Sequence, residues 1–242
     1  MPRVQTGDIE TYYVERGTGP PVIFVHGAIL DHAEWAPQMD ALADAYTCYA
    51  YDLRGHGRTG GSAIGRYTLD LFADDLAAFV AALEVERPVI VGLSMGGLIA
   101  QVYAARHPEA VAGLVLASSF TPELPTRRDW FLRGPFLRAL VYPAKLVGYE
   151  RVERAKVWLY ERFAGEGTGD DYAQVEALRA DSPTMATAEF AKVVRALARS
   201  HHEDIGYEAI TAPTLVLHGA DEPGMLTRQT ALLAERIANA TV

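Results

Sequence analysis

The chain of 242 residues carries 31 acidic against 22 basic side chains, a formal charge of −9, and half of its residues are hydrophobic. These numbers suit one globular α/β domain with an insertion and exclude a disordered chain, and the negative balance argues against a nucleic-acid or anionic-membrane partner. The single cysteine, Cys48, rules out an intrachain disulfide, and no apolar run approaches the ~20 residues of a membrane span, so a soluble cytoplasmic protein is the expectation.

In chain order, residues 3–16 read as a hairpin turning at Gly7-Asp8, with Ile9, Thr11 and Tyr13 alternating along its second arm. The apolar run 22–25 is a strand buried on both faces, ending in His26-Gly27-Ala28. Pro37 fits the first turn of a helix reaching about Asp44, and 46–51 is the next strand. From Leu69, the residues Phe72, Leu76, Phe79, Val80 and Leu83 recur at spacings of three and four, one face of a helix capped by Thr68 or Asp70. A strand at 88–92, a helix at 95–106 and a strand at 111–117 follow. Alternating strands and helices with doubly buried strands predict a parallel sheet covered on both faces. The pattern then breaks. Residues 126–205 hold no convincing strand, only helical segments near 129–141, 150–164, 170–180 and 186–200, rich in aromatics. The sheet resumes at 214–218, a helix is expected around 226–238, and Thr241-Val242 begin one more strand. The expected division is a core of residues 1–121 and 212–242 with an inserted helical cap at 122–211.

Chemistry concentrates at Gly92-Leu93-Ser94-Met95-Gly96, where a buried strand turns directly into a helix. Such a turn lifts the central side chain out of the sheet, and it is tight enough to demand glycine at Gly92 and Gly96. Ser94 then stands at a helix N-terminus, whose free N–H groups favour a developing negative charge. Otherwise Ser94 merely caps the helix. Gly55-His56-Gly57-Arg58-Thr59-Gly60 matches a dinucleotide-binding fingerprint, with Asp74 and Asp75 near the expected offset, but no helix opens on it. The alternative is a loop whose Asp52 and Arg54 brace neighbouring turns.

His26-Gly27-Ala28, Asp52-Leu53-Arg54-Gly55-His56-Gly57 and Gly92-Leu93-Ser94-Met95-Gly96-Gly97, each after a strand and in this order, resemble an α/β-hydrolase. The resemblance spans the whole chain and lies nearest the cofactor-free 3-oxoadipate enol-lactonases, carboxylesterases and non-haem haloperoxidases. It implies Ser94 as nucleophile, the backbone amides of Ala28 and Met95 as oxyanion hole, and His26, Gly27, Gly92 and Gly96 as the supporting turns. No cofactor or metal is implied. The triad acid should follow the strand 214–218. The family's spacing favours Glu222 there, and its commoner residue type favours Asp221. The histidine should follow the acid by some tens of residues. His26, His56, His107, His201, His202 and His218 do not fill that place, so the expected base lies beyond Val242, and this chain is expected to be impaired in hydrolysis. Serine at 94 speaks against the dehalogenase and epoxide-hydrolase chemistry of the fold, which begins with a carboxylate. The implied activity is cleavage of an ester, lactone or related acyl bond in a small apolar or aromatic substrate. Carbon–carbon bond hydrolysis and a non-catalytic ligand receptor are the alternatives, and nothing fixes the oligomeric state.

Overall fold

The computed structural model describes residues 2–152, 154–155, 183–220, 222 and 224–242. Eight strands form one sheet: β1 (Arg3–Thr6), β2 (Ile9–Arg16), β3 (Pro21–Val25), β4 (Thr47–Tyr51), β5 (Val89–Leu93), β6 (Gly113–Ala117), β7 (Thr214–Leu217) and β8 (Ala240–Thr241). Their order is β1-β2-β4-β3-β5-β6-β7-β8. The β1–β2 and β2–β4 pairs are antiparallel and every other pair is parallel. The hairpin turns at Gly7-Asp8 as expected.

Pleating explains the three layers. Along β3, Ile23 and Val25 join one core with Tyr49 and Tyr51 of β4, beneath α2 (Leu69–Ala82) and α3 (Met95–Arg106). The alternate residues Val22 and Phe24 join Cys48 and Ala50 in a second core, against Trp35 and Met39 of the 3-10 turn His32–Trp35 and helix α1 (Ala36–Leu42). A strand buried on both faces reads as an unbroken apolar run, which is how β3 announced itself. On α2 the buried face includes Phe72, Leu76, Phe79 and Val80, and its cap is Thr68, whose Oγ1 accepts from the Leu71 N–H at 3.1 Å.

Among the described residues, no strand lies between β6 and β7. Instead come α4 (Arg127–Phe131), a π-turn at Leu132–Phe136, α5 (Leu137–Val147) and α6 (Thr187–Leu197). Sequence periodicity gave one helix near 129–141; the π-turn divides a longer one. Pro135 lies within that turn, and because proline has no N–H and crowds the carbonyl four residues back, widening accommodates it. The helix expected at 170–180 lies outside the described residues, as does most of that at 150–164.

Val141 and Ala144 of α5 pack with Tyr149, Phe190 and Val194 in a separate core that also touches Ile29. Helix α6 faces both ways, since its Val193 and Ala196 belong to the main core. Last, α7 (Gly224–Arg236) leads to β8, which pairs Thr214 with Ala240 and Leu215 with Thr241. The strand expected to begin at Thr241-Val242 is present one residue earlier; it covers half of the outer edge of β7, where Leu215 and Leu217 keep exposed side chains.

Candidate active site

Strands β3, β5 and β6 are adjacent and parallel, so the loops leaving their carboxyl ends meet. In such sheets this is where ligands bind. Each of the three loops holds a non-glycine residue in the left-handed region: Ile29 (φ 62°), Ser94 (φ 50°) and Ser118 (φ 45°). Such conformations cost about 1–3 kcal/mol each and cluster at functional sites.

Ser94 has ψ −112° and makes no side-chain capping bond to α3, which sets aside the reading of a mere helix cap. Its N–H donates to Ala117 O at 3.0 Å, and its carbonyl accepts from Gly97 N at 3.1 Å and from Ser119 Oγ at 3.0 Å. The backbone is thus clamped while the hydroxyl is left for other work. Both glycines of the turn are sterically compelled. A β-carbon on Gly96 would lie 2.1 Å from Val25 O, and one on Gly92 would lie 2.5 Å from Gly96 O.

The turn after β3 is held from its side. The Gly27 N–H donates to Glu34 Oε2 at 3.1 Å, and Asp31 caps the 3-10 turn through Ala33 N at 2.8 Å. Among the described residues, no protein acceptor takes the amides of Ala28 or Met95. His26 is fully buried between Leu53 N–H, which donates to Nε2 at 3.0 Å, and Gly27 O, which accepts from Nδ1 at 2.8 Å. Those two bonds fix a neutral tautomer, and burial lowers its pKa to about 4. His56 donates Nδ1–H to Arg54 O, and burial lowers its pKa to about 3.

The loop after β4 is a brace. Asp52 Oδ1 accepts from the backbone and ring nitrogens of His32 at 2.8 and 2.6 Å, and Oδ2 accepts from Arg58 N at 2.7 Å. Burial pushes the Asp52 carboxyl up, but the His32 contacts outweigh it and leave the pKa below the usual value. Arg54, 1% exposed, forms a bidentate pair with Asp75 at 2.8 and 2.6 Å and a further ion pair with Asp8 at 2.7 Å. Asp75 is therefore committed to Arg54, and the dinucleotide reading fails on geometry as well. Among the described residues, Asp31, His32 and Asp52 alone bring three metal-ligating atoms within 4.8 Å, and these atoms already serve as partners to one another and to neighbouring amides.

The acid loop reaches the site through β6. Glu222 Oε1 accepts a hydrogen bond from Ser118 Oγ, while Oε2 is buried and without a partner. Asp221, the other candidate, lies outside the described residues. None of the seven histidines hydrogen-bonds to Ser94 or Glu222; His218 turns its Nδ1 to Gly219 O at 2.8 Å. Sequence reasoning missed Glu34, His32, Ser118 and Ser119. No short motif marks them, because each acts through strand adjacency or a loop return.

The model of the alpha/beta hydrolase fold family matches residues 20–242, and the chain belongs to the α/β-hydrolase family. It is 30% identical to a putative carbamate hydrolase of Azorhizobium caulinodans, over 100% of this chain and 88% of that protein. A 2-(acetamidomethylene)succinate hydrolase of Mesorhizobium japonicum is 36% identical over 51% of this chain and 44% of its own length, so that match spans under half of the relative. Among solved structures, an esterase of Thermogutta terrifontis superposes with a TM-score of 0.79 at 25% identity, covering 99% of this chain and 87% of that one. Proteins named as an esterase, an enol-lactonase and a carbamate hydrolase are thus among those the chain is similar to.

Proposed function

We propose that the protein is a serine hydrolase that cleaves an ester, lactone or related acyl bond of a small, apolar or aromatic substrate through an acyl-enzyme. Ser94 Oγ gives its proton to the base and attacks the carbonyl carbon; the acyl–oxygen bond then breaks, and the leaving oxygen takes that proton from the base. The amides of Ala28 and Met95 receive the oxyanion, where one lost donor typically costs about 2.7–4 kcal/mol of transition-state stabilisation. Water then releases the acyl group. Glu222 is the acid that orients the base: Ser118 holds one carboxylate oxygen, and the other, buried Oε2 suits a ring N–H donor. Asp221 remains the alternative acid. The observation that carries the reading is the strained, uncapped Ser94 between two carboxyl-terminal strand loops. The carbamate hydrolase and esterase relatives support acyl chemistry of this kind.

Hydrolysis of p-nitrophenyl esters, measured with and without added imidazole as an external base, tests it. We expect release that imidazole accelerates beyond its solution rate and that Ser94→Ala removes. Equal rates for wild type and Ser94→Ala under both conditions would exclude Ser94 as nucleophile. Ser94-dependent turnover needing no imidazole would place the base within this chain.

A further inference from the structure

We propose that the outer face of the helical stretch 127–147 docks on an anionic lipid surface. The stretch holds five basic residues (Arg127, Arg128, Arg133, Arg138 and Lys145) against one acid, Asp129, inside a chain of net charge −9. Asp129 does not offset the outward charge, because it is 1% exposed and paired with Arg228 at 3.1 Å. Arg133 is buried as well, donating to Thr121 O at 2.7 Å. The four remaining basic residues are exposed.

Every other exposed position between 127 and 147 is apolar or aromatic. Trp130 is 53% exposed, Phe131 51%, Tyr142 72% and Leu146 86%. On α5 the orientation is set by packing. Val141 and Ala144 bury the inner side of α5, so Tyr142 and Leu146, four residues apart, share its outer side.

A surface made only of Arg, Lys, Trp, Phe, Tyr and aliphatic side chains matches an interfacial helix, whose apolar residues enter the acyl boundary while basic heads meet phosphates. The whole-chain charge hides the patch: at physiological ionic strength screening acts over about 8 Å, so a nearby anionic surface meets the local positive field rather than the sum. No helix among the described residues is long and apolar enough to cross a membrane, so the contact is peripheral.

Co-sedimentation with vesicles of phosphatidylcholine, alone or mixed with phosphatidylglycerol, tests the proposal on the full chain. Binding is expected only to the mixed vesicles, weakening with salt. Charge reversal at Lys145 (Lys145→Glu) should lower the partition at least fivefold, since each basic residue near such a surface is worth about that factor. Leu146→Glu should abolish binding, and both positions are exposed, so the thermal midpoint should hold. Trp130→Phe should remove a blue shift in emission on binding. No binding to mixed vesicles at low salt, equal binding to both vesicle types, or binding indifferent to Leu146→Glu would each overturn the proposal. Self-association abolished by Leu146→Glu without vesicle binding would overturn it too, and would assign the face to a second copy.

Discussion

Four groups grip the backbone of Ser94, and none of them needs its hydroxyl: Ala117 O, the N–H groups of Gly97 and Leu98, and Ser119 Oγ. Ser94→Ala should therefore leave the urea midpoint within ~0.5 kcal/mol of wild type, the usual range for a change that breaks no structural contact, while it removes acyl transfer. Glu222→Gln should cost imidazole-assisted turnover more than Asp221→Asn; the reverse order would move the acid to Asp221. The buried histidines set a pH dependence. His26 has its pKa lowered from 6.5 to about 4, so the unfolded chain binds more protons between those values. Stability is then complete above about pH 6.5, falls by about 3 kcal/mol toward pH 4 on His26 alone, and levels off below. His56, lowered to about 3, extends the loss further. Urea titrations at pH 7 and pH 4.5 check this, and an unchanged midpoint would mean that neither ring is held neutral. At this scale the sequence revealed what is contiguous. Ser94 and its glycines stand within five residues, whereas Ser119 meets Ser94 across 25 residues and Ser118 meets Glu222 across 104, through sheet pairing alone.

Helix α3 begins against the end of β3, and Gly96 permits the approach. Gly96→Ala puts a carbon 2.1 Å from Val25 O, a backbone atom that cannot swing aside. A loss of at least ~3 kcal/mol is expected by chemical denaturation, the upper end of ordinary overpacking, with retained fold class by circular dichroism. Gly134→Ala is the control, since its β-carbon meets nothing within 4 Å. Elements with strong periodicity, such as α2 and the strands β3 and β4, could be read from the chain because a buried face writes itself as spacing. The π-turn at Leu132–Phe136 could not. Residues on either side of it keep helical spacing, and only the backbone shows the extra residue. The short β8 strand, by contrast, was legible at Thr241-Val242 and sits one residue earlier, where two pairings cover half of the outer edge of β7.

Across the molecule, the braces behind the site carry buried charge. Arg54 joins the β4 loop to α2 through Asp75 and to the hairpin through Asp8. Arg54→Met would strand a buried carboxylate, whose burial already raises its pKa against the pull of Arg54, and should cost about 3–5 kcal/mol at pH 7. Arg54→Met with Asp75→Leu should recover most of that loss, because neither charge is then buried alone. The layered core and inserted helices followed from hydrophobic spacing, while this long-range bracing required the tertiary arrangement that brings three distant segments together. The loops after β3 and β5 should converge on one reacting carbonyl. Treating the protein with a fluorophosphonate in the presence of imidazole, mapping the adduct by peptide mass and following backbone amides by nuclear magnetic resonance would show it. A single adduct on Ser94 is expected, with downfield shifts of both the Ala28 and Met95 amide protons; an adduct elsewhere, or one on Ser94 that leaves both amides unmoved, would rule that convergence out.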